Sequence, residues 1–139
     1  MIEVAIRAAL LAAPSVSALV GPRVWPIVLP DAPEYPAITY QIVTGGSEYS
    51  MQGTSRLANP RVQVDLYAET HMDLLQLKGA VMATLSGLRG IVGSPPVRIH
   101  GVFREMEQDF YEQQLERSGP TVWRKSLDFT VWFKEQYDG

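Results

Sequence analysis

Two histidines are the residues of this sequence with the most versatile chemistry. His71 lies between Glu69 and Asp73, and His100 lies in the segment VRIHGVF (97–103). An imidazole beside carboxylates could act as a general base or a metal ligand, but a metal site needs a further ligand from a distant segment, and nothing nominates one. We therefore predict no catalytic residue, metal or cofactor. A small enzyme or ligand-binding domain using His71, His100 and nearby carboxylates is the alternative.

The other motifs that could do chemistry are better explained as structure. Glu105, Glu107 and Asp109 could pair as acid and base, but their hydrophilic segment offers no apolar surroundings to separate their pKa values. The GxxGxxG spacing of 87–93 follows a predicted helix, whereas phosphate-binding loops lie between a strand and a helix. The sequence also lacks cysteine and a nucleophile-elbow serine. The sequence therefore offers no motif that supports a catalytic function.

The composition favours a single packed domain spanning residues 1–139. With 46% hydrophobic residues and no cysteine, the fold must rest on packing. The net charge of -3, without any basic block, argues against nucleic-acid binding. Pro14 cuts short the early apolar stretch, and Glu3 and Arg7 cancel where a secretion signal would be basic. We expect no signal peptide, no membrane contact and folding in the cytoplasm.

The elements that would position any site begin with a helix. An apolar stripe among alanines predicts a helix that Pro14 ends, followed by a short helical turn up to Gly21. The stripe consists of Ile2, Ile6 and Leu10. Residues 23–43 predict two strands joined by a proline-rich turn, with Ile27 and Val28 in the first of them.

A strand and a second helix are predicted in the middle of the chain. Residues 61–67 alternate strictly between apolar and polar, which indicates a half-buried strand. Thr70 and Asp73 resemble a capping box that opens the helix. Apolar residues then recur at helical spacing until glycines 87 and 90 end the run. They are Leu74, Leu77, Val81, Leu85 and Leu88.

Two more strands are predicted in the last third of the chain. In the first, alternation places Gly101 and Phe103 on the apolar face with Val97 and Ile99. In the last strand, which we expect to be central, the apolar face comprises Leu127, Phe129, Val131 and Phe133. Residues 45–60 predict a long loop or hairpin extension. The charged segment 105–119 predicts a solvated hairpin tip or a mobile loop.

This order of elements predicts an α+β fold. Its mainly antiparallel sheet would carry an N-terminal helix and a middle helix packed on one face. The opposite face would be polar and aromatic, and either wet or used to meet another subunit. Its expected members are Arg61, Gln63, Arg98, Arg124, Asp128 and Trp132. Composition and spacing lead no further than an α+β domain without a visible active site.

The order and spacing of several segments resemble a known family. The segments are ALVGPRVWP (18–26), PAITYQIV (36–43), SEYSMQG (47–53), RVQVDLYAET (61–70), VRIHGVF (97–103), DFYE (109–112) and SLDFTVWFKE (126–135). Together they are similar to the tail completion proteins of long-tailed phages and prophages, which include tail terminators and tail-to-head joining proteins. The resemblance covers nearly the whole chain.

The resemblance implies a structural virion protein without catalysis, assembled in the host cytoplasm. It implies a homo-oligomeric ring, usually of six subunits, at the head-proximal end of the tail, contacting the major tail tube protein and the head-tail connector. It does not separate a terminator from a joining protein, and an adaptor outside any virus is a further alternative. The candidate contact residues are Glu48, Tyr49, Met51 and Arg56 in the first loop, and Glu107, Asp109, Tyr111 and Glu112 in the acidic segment.

Overall fold

The computed structural model describes the backbone of residues 2–43, 57–58, 60–93, 97–113 and 122–135, and the side chains of 2–43, 60–93, 97–103 and 122–133. The described helices are α1 (Ile2–Ala12), α2 (Pro14–Val20) and α3 (His71–Leu85). The described strands are β1 (Val24–Pro26), β2 (Ala37–Ile42), β3 (Leu57–Ala58), β4 (Arg61–Ala68), β5 (Gly90–Val92), β6 (Val97–Gln113) and β7 (Val122–Glu135). The predicted α+β class is confirmed.

The described strands form one sheet in the order β1-β2-β4-β7-β6-β5, and β3 also pairs with β7. Every pairing is antiparallel except that of β1 with β2, which is parallel. A tight hairpin cannot join parallel strands, and here the proline-rich connection 27–36 carries the chain back to the start of β2. The central position predicted for β7 is confirmed, because β4 and β6 flank it.

The N-terminal helical pair lies against the concave face of the sheet. The predicted stripe of Ile2, Ile6 and Leu10 is buried. Pro14 begins α2, and α1 and α2 bend by 86° at their junction. Helix α1 contacts β1 and β2 at one end of the sheet and β5 at the other. The sheet therefore curls around the helices, and α1 bridges its two edge strands.

Helix α3 begins where the sequence predicts but ends at Leu85, so Leu88 of the predicted apolar run lies beyond the helix. The Asp73 backbone N–H donates to Thr70 Oγ1 at 3.1 Å, which satisfies one of the unpaired N–H groups of the first turn. After Leu85 the chain turns at Gly87, whose φ of +78° is the left-handed conformation that glycine adopts without strain. The core face of α3 comprises the buried Leu74, Leu77, Val81 and Leu85.

The main core lies between the three described helices and the concave face of the sheet. Val62, Val64 and Leu66 from β4 pack there with the apolar face of β7. Phe129 is the largest fully buried side chain among the described residues. Each buried aliphatic or aromatic side chain contributes roughly 1.5–3 kcal/mol before entropy. No single described helix is long and apolar enough to cross a bilayer; only the bent α1–α2 pair, taken together, has the length and composition to do so.

A bulge in β6 overturns the predicted alternation of that strand. The register with β7 shifts between Ile99 and Gly101. One extra residue exchanges the two faces of a strand, so Val102 is buried, whereas Phe103 is 55% exposed. The prediction that Phe103 faces the core is therefore wrong.

The acidic segment is also more ordered than predicted. Residues 105–113 continue β6 and pair with β7 as far as Val122, which agrees with the hairpin alternative, and the mobile-loop alternative is wrong for that part. Pairing with a central strand satisfies the backbone N–H and C=O groups, whatever the polarity of the side chains. Residues 114–119 lie outside the described part of the chain, as do most of residues 45–60.

Candidate functional site

A buried polar cluster occupies the convex face of the sheet. The antiparallel register brings Thr39, Asp65 and Ser126 side by side on β2, β4 and β7. They are 2%, 4% and 7% exposed. Position within the strands explains why they share this face, since each alternates with residues of the main core. The predicted polar face therefore exists, but its centre is not wet.

Asp65 is the centre of this cluster. Arg124 Nη2 donates to Asp65 Oδ2 at 2.8 Å, and Gln63 Nε2 lies 3.0 and 3.2 Å from the two carboxylate oxygens. A buried carboxylate needs such compensation because its charge loses the solvation of water. Asp65 is therefore bound by Arg124 of the neighbouring strand β7 and by Gln63 of its own strand. The arrangement can lock the register of β4 against β7.

A hydroxyl pair extends the cluster to β2. Thr39 Oγ1 lies 3.4 Å from the Tyr67 hydroxyl oxygen. Burial raises the pKa of Tyr67 above its ordinary value of 10.0, while the hydrogen bond with Thr39 acts in the opposite direction. The phenol therefore stays protonated at neutral pH and serves as a structural hydrogen-bonding group.

Asp128 lies on the same face and titrates abnormally. Burial raises its pKa above the ordinary 3.8, Arg61 opposes that shift and Asp65 adds to it. In the window between the unfolded and the raised folded pKa, the folded protein binds a proton that the unfolded chain has released. The ionised carboxylate therefore destabilises the fold as the pH rises through this window.

Asp128→Asn is thus expected to raise the free energy of unfolding at pH 7. This advantage should be lost below pH 3.8, where the Asp128 carboxyl group is protonated in both the folded and the unfolded state. Urea unfolding of both proteins at the two pH values measures it. Asp31→Asn, at an exposed position between β1 and β2, is the matched control and should change neither value. An Asp128→Asn protein that is less stable than the parent at pH 7 would contradict the expectation.

The first exposed apolar area lies at the seam between α1 and β1, and we name it the seam surface. It is an open depression with two protruding residues, Ile27 and Val28, at its rim, and these are 63% and 68% exposed. The surface comprises Glu3, Val4, Pro26, Ile27, Val28, Tyr40 and Ile42. It is the part of the concave face at the end of β2 that α1 leaves open.

The backbone at Ile27 is strained. Its φ is +67°, a conformation that β-branched residues rarely adopt. A three-residue turn holds it, because the Val28 N–H donates to the Pro26 carbonyl at 2.7 Å and the Ile27 N–H to the Tyr40 carbonyl at 2.9 Å. Strain of this kind is frequent at binding sites. The prediction that Ile27 and Val28 continue the first strand is wrong, because β1 ends at Pro26.

The second exposed apolar area lies on the convex face of β5, β6 and β7, and we name it the outer surface. It comprises Ile91, Arg98, Phe103 and Trp132, and its three apolar members are 56%, 55% and 36% exposed in that order. Arg98 pairs with Ile91, and Trp132 pairs with Gly101. A Cβ at Gly101 would lie 2.9 Å from the Phe103 ring, so glycine makes room for this ring beside Trp132.

The two histidines do not converge. His71 is exposed and its ring lies 5.0 Å from that of Trp123, at the start of β7. His100 is exposed at the bulge opposite the other end of β7, roughly 30 Å away along the strand. Within the described ranges no group of three or more histidine or acidic residues could hold a metal. Both histidines lie exposed on the described surface, whereas the enzyme alternative needs a ring inside a closed, apolar pocket.

The predicted contact residues fall in two groups. Glu48, Tyr49, Met51 and Arg56 lie outside the described residues. Glu107, Asp109, Tyr111 and Glu112 lie on β6, where the backbone register pairs Glu107 with Leu127 and Asp109 with Lys125. Their role in contacts stays a prediction. The sequence placed Arg98 and Trp132 on a face that could meet another subunit, but it did not single out Ile91, Phe103 or the seam surface.

These features define a class of protein. The Asp65 carboxylate is bound within the fold, and six of the exposed large apolar side chains lie on two unlike surfaces, as in a structural protein that works through contacts with other chains. The family model described as Tail completion protein gp17 matches residues 4–134, and the chain belongs to that family. It is therefore a structural protein of phage tails, associated with the virion.

Known structures extend the likeness to the fold. A chain in the structure titled "Virion of native gene transfer agent (GTA) particle" matches with a TM-score of 0.64 and 14% sequence identity. The match covers 94% of this chain and 92% of that chain. Sequence comparison with curated proteins finds no match.

Proposed function

We propose that this protein forms a ring at the head-proximal end of the tail tube, where it binds the major tail tube protein and the head-tail connector. Family membership supports a tail role, and the pair of unlike exposed surfaces carries the proposal of a ring. A closed ring of identical subunits requires two different complementary patches on each subunit. Six copies is the number that the family resemblance implies.

The ring acts by binding, without catalysis, at the head-tail junction after assembly in the host cytoplasm. The acidic part of β6 with Glu107, Asp109, Tyr111 and Glu112, together with the 45–60 segment, supplies contacts to the tube or the connector. The two surfaces of apolar residues are then left for contacts between subunits. Whether the ring terminates the tube or joins it to the head depends on which partner binds more tightly.

Electron microscopy of the protein mixed with tail tube protein tests the proposal. We expect micrographs to show tubes with uniformly capped ends. At micromolar concentration, light scattering should give the mass of a ring, unless the ring forms only on the tube. Tyr49→Ala and Tyr111→Ala should impair capping while the thermal unfolding midpoint stays unchanged. A protein that binds neither itself nor the tube under these conditions would refute the ring. Capping that is unaffected by both substitutions would move the tube contact elsewhere.

A further inference from the structure

The two exposed surfaces differ in charge as well as in position. Glu3 lines the seam surface, and the adjoining segment 24–36 contains Asp31 and Glu34 but no basic residue. The segment 86–103, which leads into the outer surface, contains Arg89 and Arg98 but no acidic residue. All five of these charged side chains are exposed. Among the described side chains, the exposed carboxylates of Glu3 and Asp31 therefore border the seam surface, and the exposed guanidinium groups of Arg89 and Arg98 border the outer surface.

The basic residues nearest the seam surface are engaged within the fold. Arg7 Nε donates to the Val24 carbonyl at 3.2 Å. Arg23 donates to the Pro36 carbonyl at 2.9 Å and to the Leu19 carbonyl at 3.2 Å, and both arginines are partly buried. Arg7 thus joins α1 to β1, and Arg23 joins the end of α2 to the end of the 27–36 connection. Arg23 Nη1 also lies 3.8 Å from Glu34 Oε1, so the charge of Glu34 is compensated within the fold, and Glu3 and Asp31 are the carboxylates that carry the charge of this border.

Shape adds to the charge difference. The seam surface is an open depression on the concave side, whereas the outer surface lies on the convex side of the sheet, where Phe103 and Trp132 stand out. In the sheet order, β2, β4 and β7 separate β1 from β6. The two surfaces are thus different patches on opposite faces of one sheet, and a closed ring needs two different patches on each subunit.

We propose that the seam surface of one subunit receives the outer surface of the next copy of this chain, so that Phe103 and Trp132 enter the depression beside Ile27 while Arg89 and Arg98 face Glu3 and Asp31. This inference rests on the proposed ring and specifies its interface. A pairing of like surfaces would bring equal charges together, so charge selects the head-to-tail arrangement. The short edge strands and the missing N–H of Pro26 favour contact through side chains rather than addition of one sheet to another.

Charge reversal tests this pairing. One variant carries Glu3→Lys and Asp31→Lys, and a second carries Arg89→Glu and Arg98→Glu. In each of these two variants, both surfaces have borders of the same sign. The apparent Kd of self-association should therefore rise at least tenfold, as measured by mass photometry in solution or by occupancy of tube ends. The variant with all four changes should regain self-association. It should not mix with the parent protein, because the parent's acidic border then meets an acidic border.

The controls separate this inference from the ring itself. Glu69→Lys, a single charge reversal at an exposed site on neither surface, should associate like the parent. Phe103→Ser should weaken association without a charge change, while Met72→Ser, which is also exposed, should not. A parent that forms no ring with or without tubes would refute the proposed function. If the parent forms rings and the charge-reversed variants form them equally well, this interface is refuted but the proposed function is not.

Discussion

Phe129→Ala is expected to lower the free energy of unfolding by about 4 kcal/mol, the typical cost of removing a large buried aromatic ring. Phe129 is 1% exposed on β7, where it packs between the helices and the sheet. Its strand neighbours are Val62 on β4 and Arg104 on β6. Both sides of the residue are paired strands, so the surrounding backbone has little freedom to fill the cavity. Much of the net stability of a domain this size would be lost.

Phe103→Ala is the matched control, because the same ring is removed from the neighbouring strand. Phe103 is 55% exposed, and we expect a change within about 0.5 kcal/mol. Urea unfolding followed by tryptophan fluorescence measures both proteins. The two substitutions should have opposite consequences, with Phe129→Ala impairing the fold and Phe103→Ala impairing association between subunits. Equal destabilisation by both would show that the outer surface is covered within one subunit.

Asp65→Ala is expected to lower the free energy of unfolding by about 2–3 kcal/mol. The substitution leaves the Arg124 guanidinium and the Gln63 amide without the carboxylate they bind. Removal of one partner from a fully buried ion pair costs roughly 3–5 kcal/mol. The expected loss is smaller here because the Arg124 side chain is 32% exposed and water screens its charge.

A double-mutant cycle with Arg124→Ala tests the cause of that loss. If the pair is responsible, the two substitutions together should cost less than the sum of the single ones, with a coupling of about 1 kcal/mol or more. Asp31→Ala, which removes an exposed carboxylate, should have little effect on stability. At a temperature where it stays folded, Asp65→Ala should still cap tubes. Lost capping by a folded Asp65→Ala protein would give the cluster a direct role in binding.

The polar cluster thus contributes to the stability of the fold, whereas the two exposed surfaces are proposed to mediate assembly. The Arg124–Asp65 ion pair fits the observed register of β4 and β7, and that register sets which residues of β7 point outward. The side chains proposed to meet another subunit depend on it, since a shift by one residue would turn Trp132 inward. Stability and assembly should therefore respond to different substitutions, even within the same sheet.

Several elements could be predicted because their patterns are local. Helix α3 has a capping residue, a helical apolar repeat and a terminal glycine within one short stretch, and each acts over a few residues. Strand β7 alternates without interruption, so its core face follows from burial alone. Strand β6 could not be predicted in the same way. Its bulge at His100 depends on how it pairs with β7, and its acidic half is a strand only because β7 offers backbone partners.

The sequence by itself determined the α+β class, the helices, the central strand and the likeness to tail completion proteins, because periodicity, caps and segment order are all written along the chain. Only the tertiary structure decided the parallel pairing of β1, the burial of Asp65 and the exposure of Ile27 and Phe103. These features arise where segments distant in sequence meet. Burial and charge at such places depend on neighbours from other strands, which no local pattern specifies.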